Sequence, residues 1–288
     1  METFIHNLQP DWVSVVIPSY NRAATLPRAI DSVLQQQRPV DEIIVVDDGS
    51  SDGTAEMLAG SYPMVTLIQQ PNRGVSAARN QGIRHTRGEW IALLDSDDAW
   101  LPNRLTLQLE YVQQQGLRFC HGEEIWIRNG KRVNAMHKHR KEGGWIFPQC
   151  LPLCVISPSA SLIHRDVFSD YGLFDEDLPA CEDYDLWLRI CAHEEIAFVS
   201  EPVITKYGGH ADQLSRQHWG MDRFRVRAIG KLMGSTTLKP EYIELCRQTL
   251  LEKAHILLKG ARKHSNTALI EEMQQLINQL TESNVEAV

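Results

Sequence analysis

Three acidic groupings and one histidine carry most of the chemical potential of this chain: Asp47-Asp48, Asp95-Ser96-Asp97-Asp98, Glu182-Asp183 and His210. Carboxylates crowded together repel one another unless a cation or hydrogen-bond donors compensate. Hard divalent cations such as Mg2+ and Mn2+ take oxygen ligands and bridge to substrate phosphates, which is one use for Asp95-Ser96-Asp97-Asp98. The other use is local, because an aspartate here also serves as the N-cap of a helix opened by Pro102. Asp47-Asp48-Gly49-Ser50 offers acceptors suited to the ring N–H of a base or to ribose hydroxyls, and equally makes an ordinary turn. Glu182-Asp183 supplies a general base for a hydroxyl nucleophile, or satisfies a helix dipole and nothing more. Tyr20 can lay its ring on a nucleobase or bury it in the core. His210 lies in Tyr207-Gly208-Gly209-His210, a flexible setting for a metal ligand or for a structural histidine.

The elements between these groups say where they must sit. Val13-Ser14-Val15-Val16-Ile17-Pro18, Ile43-Ile44-Val45-Val46, Val65 to Ile68 and Trp90-Ile91-Ala92-Leu93-Leu94 read as short, continuously apolar strands. Helical patterns separate them, one capped at Thr25 with Leu26, Ile30, Val33 and Leu34 on one face and another along Val75, Ala78, Gly82 and Ile83. Alternation of this kind implies a mostly parallel α/β sheet covered on both faces, with ligands bound beyond the carboxyl ends of the strands. Ser19-Tyr20-Asn21, Asp47-Asp48 and Asp95-Ser96-Asp97 all fall at such ends and are expected to converge on one rim.

Beyond residue 116 the pattern changes. Asn129-Gly130 is a hairpin signal between Arg118–Arg128 and Arg132–Ala135, and Ser159 to Ile163 and Ala197 to Val199 read as further short strands. Glu182 to Ile190 forms a helix opened by acids. Two amphipathic helices close the chain, over Tyr242 to Lys259 and Leu269 to Leu280. They either form a hairpin over the acceptor side or make an oligomer contact.

Composition narrows the field. Apolar residues make up 43% and charged residues 23%, the balance of a globular chain, and 37 acidic against 29 basic residues give a net charge of −8. That sign disfavours a nucleic-acid partner. The charge is uneven: residues 1–215 hold 18 Lys and Arg against 29 Asp and Glu, residues 216–288 hold 11 against 8. The six cysteines lack the spacing of a zinc site or a disulfide framework and read as unpaired thiols of a reducing compartment. The start Met1-Glu2-Thr3-Phe4 does not read as a signal peptide, and the uncharged run Trp145 to Ile163 is broken by three prolines. The expectation is a cytoplasmic protein, soluble or peripheral to the membrane.

Taken in order, Val13 to Asn21, Asp47-Asp48-Gly49-Ser50, Asn72-Arg73-Gly74 through Ala78-Arg79-Asn80, Asp95-Ser96-Asp97-Asp98 and Glu182-Asp183-Tyr184-Asp185-Leu186-Trp187-Leu188-Arg189 resemble the family 2 glycosyltransferases of the GT-A fold, over about residues 11–215. The resemblance implies a nucleotide-sugar donor, uracil being the habitual base with thymine and guanine open. Pro18, Tyr20 and Asn21 would lie at the nucleotide pocket, with Asp48 on the base edge and Asp47 nearby. Asp95 and Ser96 would lie toward the ribose or metal and Asp97 on Mn2+ or Mg2+, with His210 completing the metal and diphosphate site. Asp183 would be the base of an inverting transfer to a glycan or lipid-linked acceptor in cell-surface glycan assembly. Arg79 and Arg73 are weaker carry-overs, and Arg79 could instead face solvent. On this reading residues 1–215 are a catalytic domain, with a nucleotide-sugar half to about 115 and an acceptor half from about 116, and residues 216–288 are a helical extension.

The extension's Arg216, Arg223, Arg225, Arg227 and Lys231 read as a contact for diphosphate or an anionic membrane, or as a solvated helix face. A catalytically silent nucleotide-sugar-binding or scaffold protein is the competing reading, disfavoured by the joint presence of Asp97, Asp183 and His210. A nucleotidyltransferase would want a basic, glycine-rich loop after the first strand, and Pro18-Ser19-Tyr20-Asn21-Arg22 is not one.

Overall fold

A computed structural model of the chain describes residues 8–134, 139–209, 218–235 and 238–282. The first four apolar runs form β1 (Gln9–Ser19), β2 (Glu42–Asp47), β3 (Thr66–Gln69) and β4 (Gly88–Leu93), paired in parallel in the order β3-β2-β1-β4. Helices α1 (Leu26–Leu34), α2 (Thr54–Ser61) and α3 (Val75–His85) make the crossovers. Val13, Val15, Val16 and Ile17 are all solvent-free, because consecutive residues of β1 point to opposite faces and both faces are covered. Val13, Val15 and Ile17 pack with Leu26, Ile30 and Leu58 of α1 and α2; Val16 joins Ile83 of α3 on the other side.

The crossover at α3 depends on Gly82. A Cβ there would come within 2.4 Å of Val16 Cγ1, so only glycine lets the helix lie this close to β1. Thr25 precedes α1 as expected, but its hydroxyl makes no capping hydrogen bond and is buried without one. Pro27 in the first turn removes one of the N–H groups that a cap would have satisfied.

The second half continues the sheet in mixed sense. After β5 (Ala99–Trp100) and α4 (Arg104–Gln115) come β6 (Phe119–Arg128) and β7 (Lys131–Val133), the hairpin about Asn129-Gly130. Next are α5 (Phe147–Cys150), β8 (Leu162–His164), α6 (Arg165–Tyr171), α7 (Glu182–Cys191) and β9 (Ala197–Gly208). The order along the sheet is β3-β2-β1-β4-β8-β6-β9-β5, with β7 beside β6. Two expectations need correction. Pro158–Ala160 is a 3-10 turn, so the strand expected from Ser159 begins only at Leu162. The strand expected over Ala197 to Val199 runs on to Gly208, because its pairing with β6 resumes past Pro202 through register shifts.

At the C-terminal side, α8 (Asp222–Ser235) and the start of α9 (Pro240–Lys263) are built onto the main core: Ala228, Ile229, Leu232, Tyr242, Cys246 and Leu250 pack with Trp187 and Phe147. The second half of α9 turns its Leu257, Leu258 and Ala261 to α10 (Thr267–Glu282), where Leu269, Met273 and Ile277 meet them. The two helices thus satisfy each other's apolar faces as a hairpin. Among the described residues no helix is long and apolar enough to cross a membrane.

Candidate active site

Where β1, β2 and β4 end, their turns enclose a cavity of about 540 Å³ lined by Pro18, Tyr20, Asp48, Asp95, Ser96, Asp97 and Asp183. The expected convergence on one rim is therefore present. Tyr20 is 48% exposed and presents its ring to this cavity, which rules out its reading as a core aromatic. Asp48 is buried and accepts three hydrogen bonds from the loop after β3: Gln70 Nε2 at 2.7 Å and the Arg73 N–H at 2.9 Å on Oδ1, and the Gly74 N–H at 2.8 Å on Oδ2. A carboxylate so held fixes the Asn72-Arg73-Gly74 turn, and Oδ2 keeps acceptor capacity toward the cavity.

Two of the residues expected at the nucleotide pocket are not brought there. Asn21 adopts a left-handed conformation with φ 52°, its Oδ1 accepting from Ser51 N and its N–H donating to Ser50 Oγ, each at 2.8 Å. Asp47 is buried, with Oδ1 accepting the Ser50 N–H at 3.2 Å. The Asn21 side chain stitches the β1 turn to the β2 turn, and that of Asp47 closes the β2 turn on itself, uses that polar residues at neighbouring parallel strand ends commonly find.

The acids after β4 divide by role. Ser159 Oγ accepts the Asp95 N–H at 3.0 Å and donates to Asp98 Oδ2 at 2.7 Å, while the Tyr207 N–H donates to Asp98 Oδ1 at 3.0 Å. Burial pushes the Asp98 carboxyl up to about 8, with Lys206 opposing and Asp95 and Asp97 adding to the rise. Asp98 thus ties β4 to β9. Asp97 lines the cavity, and Arg28 of α1 donates to its backbone carbonyl while stacking 3.8 Å over the Tyr207 ring.

Arg79 is not a solvent-facing residue of α3. It is 4% exposed, with Nη2 at 2.7 Å from Asp95 Oδ1 and Nη1 at 2.6 Å from Glu182 Oε1. Burial alone would raise the Asp95 carboxyl, but the Arg79 guanidinium outweighs it and holds the group below its usual value. Glu182 goes the other way: burial and the adjacent Asp183 raise it against the pull of Arg79. One guanidinium therefore locks the start of α7 to the end of β4, and with it the position of Asp183.

Asp183 stands in the first turn of α7, half-buried at the cavity wall. Its Oδ1 accepts the Tyr184 N–H at 2.7 Å and its Oδ2 lies 3.4 Å from the Cys154 thiol. The helix is anchored behind it by Trp187 Nε1 donating to the Ile156 carbonyl at 3.1 Å and the Tyr184 hydroxyl donating to the Leu151 carbonyl at 2.6 Å. Cys181 precedes it in the left-handed conformation, φ 62°, a strained state for a residue with a Cβ at a cavity wall.

Sequence reasoning missed Lys206. It extends from β9 into the cavity, donates to Ser157 Oγ at 2.8 Å and feels Glu124, Asp98, Asp95 and Asp183. Burial lowers its affinity for the proton, and those four carboxylates more than restore it, so the ammonium stays charged. Nothing in Val203-Ile204-Thr205-Lys206 distinguishes it from a surface lysine on a strand. Arg28 was missed for the same reason.

His210 and Arg216 lie outside the described residues. Elsewhere in the basic segment the charges are largely spent internally. Lys231 Nζ is 2.6 Å from Asp185 Oδ1 and 2.7 Å from Asp175 Oδ2, Arg225 pairs with Asp222 at 2.9 Å, and Arg227 donates to the Asp177 carbonyl at 3.2 Å. This corrects the picture of a solvated basic face, since α8 packs on α7 and supplies the counter-charge that buried Asp185 needs. Arg223 instead stacks 3.7 Å over exposed Trp219.

Among the described residues no three His, Cys, Asp or Glu side chains gather to hold a metal. Asp97 and Asp95 nevertheless offer oxygen donors on the cavity wall. Such a pair fits a Mg2+ or Mn2+ ion that keeps waters and takes its remaining ligands from substrate phosphates, rather than an all-protein cage.

A sequence model for "Glycosyl transferase family 2" matches residues 14–172. An uncharacterized glycosyltransferase of Rickettsia felis is 32% identical over 192 residues, covering 66% of this chain and 32% of the relative. The Escherichia coli protein named UDP-Glc:alpha-D-GlcNAc-diphosphoundecaprenol beta-1,3-glucosyltransferase WfgD is 30% identical over 65% of this chain and 73% of its own length. The chain spans about a third of the length of the Rickettsia relative. Among solved structures, S. aureus TarS 1-349 in complex with UDP-GlcNAc superposes with a TM-score of 0.68 at 19% identity, over 84% of this chain and 71% of that one. Mannosyltransferase PcManGT from Pyrobaculum calidifontis, in complex with GDP-Man and Mn2+, gives 0.58 at 17% identity, over 93% and 84%. These two likenesses establish the fold.

Proposed function

The chain belongs to glycosyl transferase family 2, and on that premise we propose that it transfers a sugar, with inversion, from a nucleoside-diphosphate sugar to an acceptor hydroxyl in the assembly of a cell-surface glycan. The observation that carries the reading is that one cavity is lined by Tyr20, Asp48, Asp95, Asp97 and Asp183 together. Tyr20 offers a face for the base and Asp48 Oδ2 an acceptor for its edge. A uridine diphosphate donor is favoured by what WfgD is named for and by the nucleotide bound to TarS. A lipid-linked diphosphate acceptor is favoured by the WfgD name alone, and a place at the cytoplasmic face of the membrane is part of the proposal.

Asp183 takes the proton of the acceptor hydroxyl, and that oxygen attacks the anomeric carbon from the side opposite the nucleotide. Its position is set by the Arg79–Glu182 pair; the Tyr184 N–H donates to Oδ1 and the Cys154 thiol to Oδ2, and the remaining lone-pair capacity of the carboxylate meets the proton. A divalent cation held by Asp97 with Asp95, and with His210 by resemblance, would supply charge neutralisation at the departing diphosphate. The anchoring of α7 to Ile156 and Leu151 keeps the 151–157 segment, and hence the acceptor side, in fixed register with the base.

The test is thermal unfolding with UDP, GDP, TDP and their sugars, each with and without Mn2+. A ligand at a hundred times its dissociation constant stabilises the fold by about 2.7 kcal/mol. Stabilisation by one diphosphate, enhanced by Mn2+ and lost in Asp97→Ala, is the expected result. A well-folded chain that responds to none of them is a scaffold, not a transferase.

A further inference from the structure

A nucleotide-sugar carries its negative charge on the diphosphate, and the cavity that should receive it is itself acidic. Asp48, Asp95, Asp97, Asp98, Glu182 and Asp183 all line it. Three cationic side chains share the wall: Arg22, Arg79 and Lys206. The two terminal nitrogens of Arg79 are committed to ion pairs, one to Asp95 and one to Glu182, and its Nε is buried. Arg22 belongs to the outer turn, where it donates to the Asn21 carbonyl at 3.3 Å.

Lys206 is placed differently. Its ammonium lies between acids of separate elements: Asp95 and Asp98 after β4, Asp183 of α7 and Glu124 of β6. Glu124 is instead paired with Lys141, at 3.0 Å. None of these carboxylates forms an ion pair with Lys206; its hydrogen bond goes to the neutral Ser157 hydroxyl at 2.8 Å. An ammonium has three N–H donors in fixed tetrahedral directions. One is taken by Ser157, which leaves two for the cavity that Lys206 lines together with the β4 acids and Asp183. In a transfer that Asp183 initiates, that cavity is where the bond between the anomeric carbon and the diphosphate oxygen breaks.

We propose that Lys206 is a catalytic residue of this transfer, donating hydrogen bonds from its ammonium to the diphosphate of the donor and to the oxygen that leaves. The proposal rests on the glycosyltransferase reading above and adds to it a cation that belongs to the chain. The acceptor oxygen forms its bond to the anomeric carbon and gives its proton to Asp183. The carbon–oxygen bond to the diphosphate breaks, the electron pair stays on the diphosphate, and the added negative charge is met by Lys206, which keeps its proton. A fixed donor aimed at developing charge in a partly dry site is worth far more than the same contact in water.

The experiment compares binding of UDP with uridine, and of GDP with guanosine, by calorimetry to the full chain and to Lys206→Met and Lys206→Arg. In the unaltered chain one diphosphate is expected to bind at least about 10-fold tighter than its nucleoside, charge-assisted hydrogen bonds being the strong ones. Lys206→Met should lose most of that preference while its nucleoside affinity stays within about 2-fold, and kcat should fall more than the donor KM rises. Lys206→Arg should recover part of the preference. Lys206→Gln, which can keep the Ser157 hydrogen bond, replaces the Met variant if that one fails to fold. A diphosphate preference unchanged in the neutral variants overturns the assignment. So does an equal loss for nucleoside and diphosphate, which would make Lys206 a counter-ion for the acids alone. If the unaltered chain prefers neither diphosphate, the donor reading itself fails, and Lys206 has no such role.

Discussion

Replacing Arg79 by methionine isolates the device that joins the two halves of the cavity. The guanidinium is 4% exposed and makes two short ion pairs, 2.7 Å to Asp95 and 2.6 Å to Glu182. Methionine can fill the space of the stem but leaves both carboxylates without their partner. They are not equivalent. The Asp95 side chain is 26% exposed and borders the cavity, so water and Lys206 can compensate it, whereas the Glu182 side chain is 6% exposed. Breaking a buried pair by removing one partner costs about 3–5 kcal/mol. Against a total stability of about 5–15 kcal/mol, that is a large fraction. Urea unfolding followed by tryptophan fluorescence should therefore show a midpoint lowered at nearly constant slope. The double variant Arg79→Met/Glu182→Met removes the stranded charge as well and should be more stable than the Arg79→Met single by at least about 1 kcal/mol. A single variant that loses less than about 1 kcal/mol, or a double variant less stable than the single, would refute the claim that Arg79 compensates a buried Glu182.

Asp183→Asn should lower kcat by about 100-fold or more, as loss of a general base does, with donor affinity by calorimetry unchanged; turnover at the unaltered rate would remove Asp183 as the base. Glu124 is held down to about 2 in the folded chain because burial, which would raise it, is outweighed by Lys141 and Lys206. Its folded value lies below its unfolded one, so its contribution is full above the ordinary carboxylate range and lost as pH falls toward 2. In Glu124→Gln the drop in stability between pH 7 and pH 2 should shrink by about 3 kcal/mol, read by urea titration at each pH. Gly82→Ala should cost about 1–3 kcal/mol by overpacking Val16 and leave nucleotide specificity unaltered; a neutral effect would show that α3 is free to lift off the sheet.

How far the site could be foreseen depends on whether a residue's role is set by its neighbours in the chain. The parallel sheet was legible because Ile43 to Val46 and Ile91 to Leu94 are apolar at every position and Val13 to Ile17 at every position but Ser14, a pattern that a doubly covered strand tolerates. Acids just beyond such strands had to lie at its carboxyl edge, so the grouping of Asp48, Asp95 and Asp97 in one cavity followed from order alone. The two C-terminal helices were legible too, since Leu257, Leu258, Met273 and Ile277 keep helical spacing, but that their apolar faces meet each other as a hairpin was decided by the fold. Residue type was a poorer guide within the turns: Asn21, Asp47 and Asp48 look interchangeable in sequence, yet only Asp48 reaches the cavity.

The charged pairings belong to the tertiary structure. Arg79 lies 16 residues from Asp95 and 103 from Glu182, and Lys231 lies 56 from Asp175. Along the chain each of these cations reads as a solvated helix residue. Lys206 reads as a surface lysine until β9, carried past Pro202 by its pairing with β6, sets it among acids from three other elements. Apolar periodicity is a local signal because burial repeats with the geometry of one helix or strand. The partner of a charge is decided by which elements the crossovers bring side by side, and that information exists only in the folded chain.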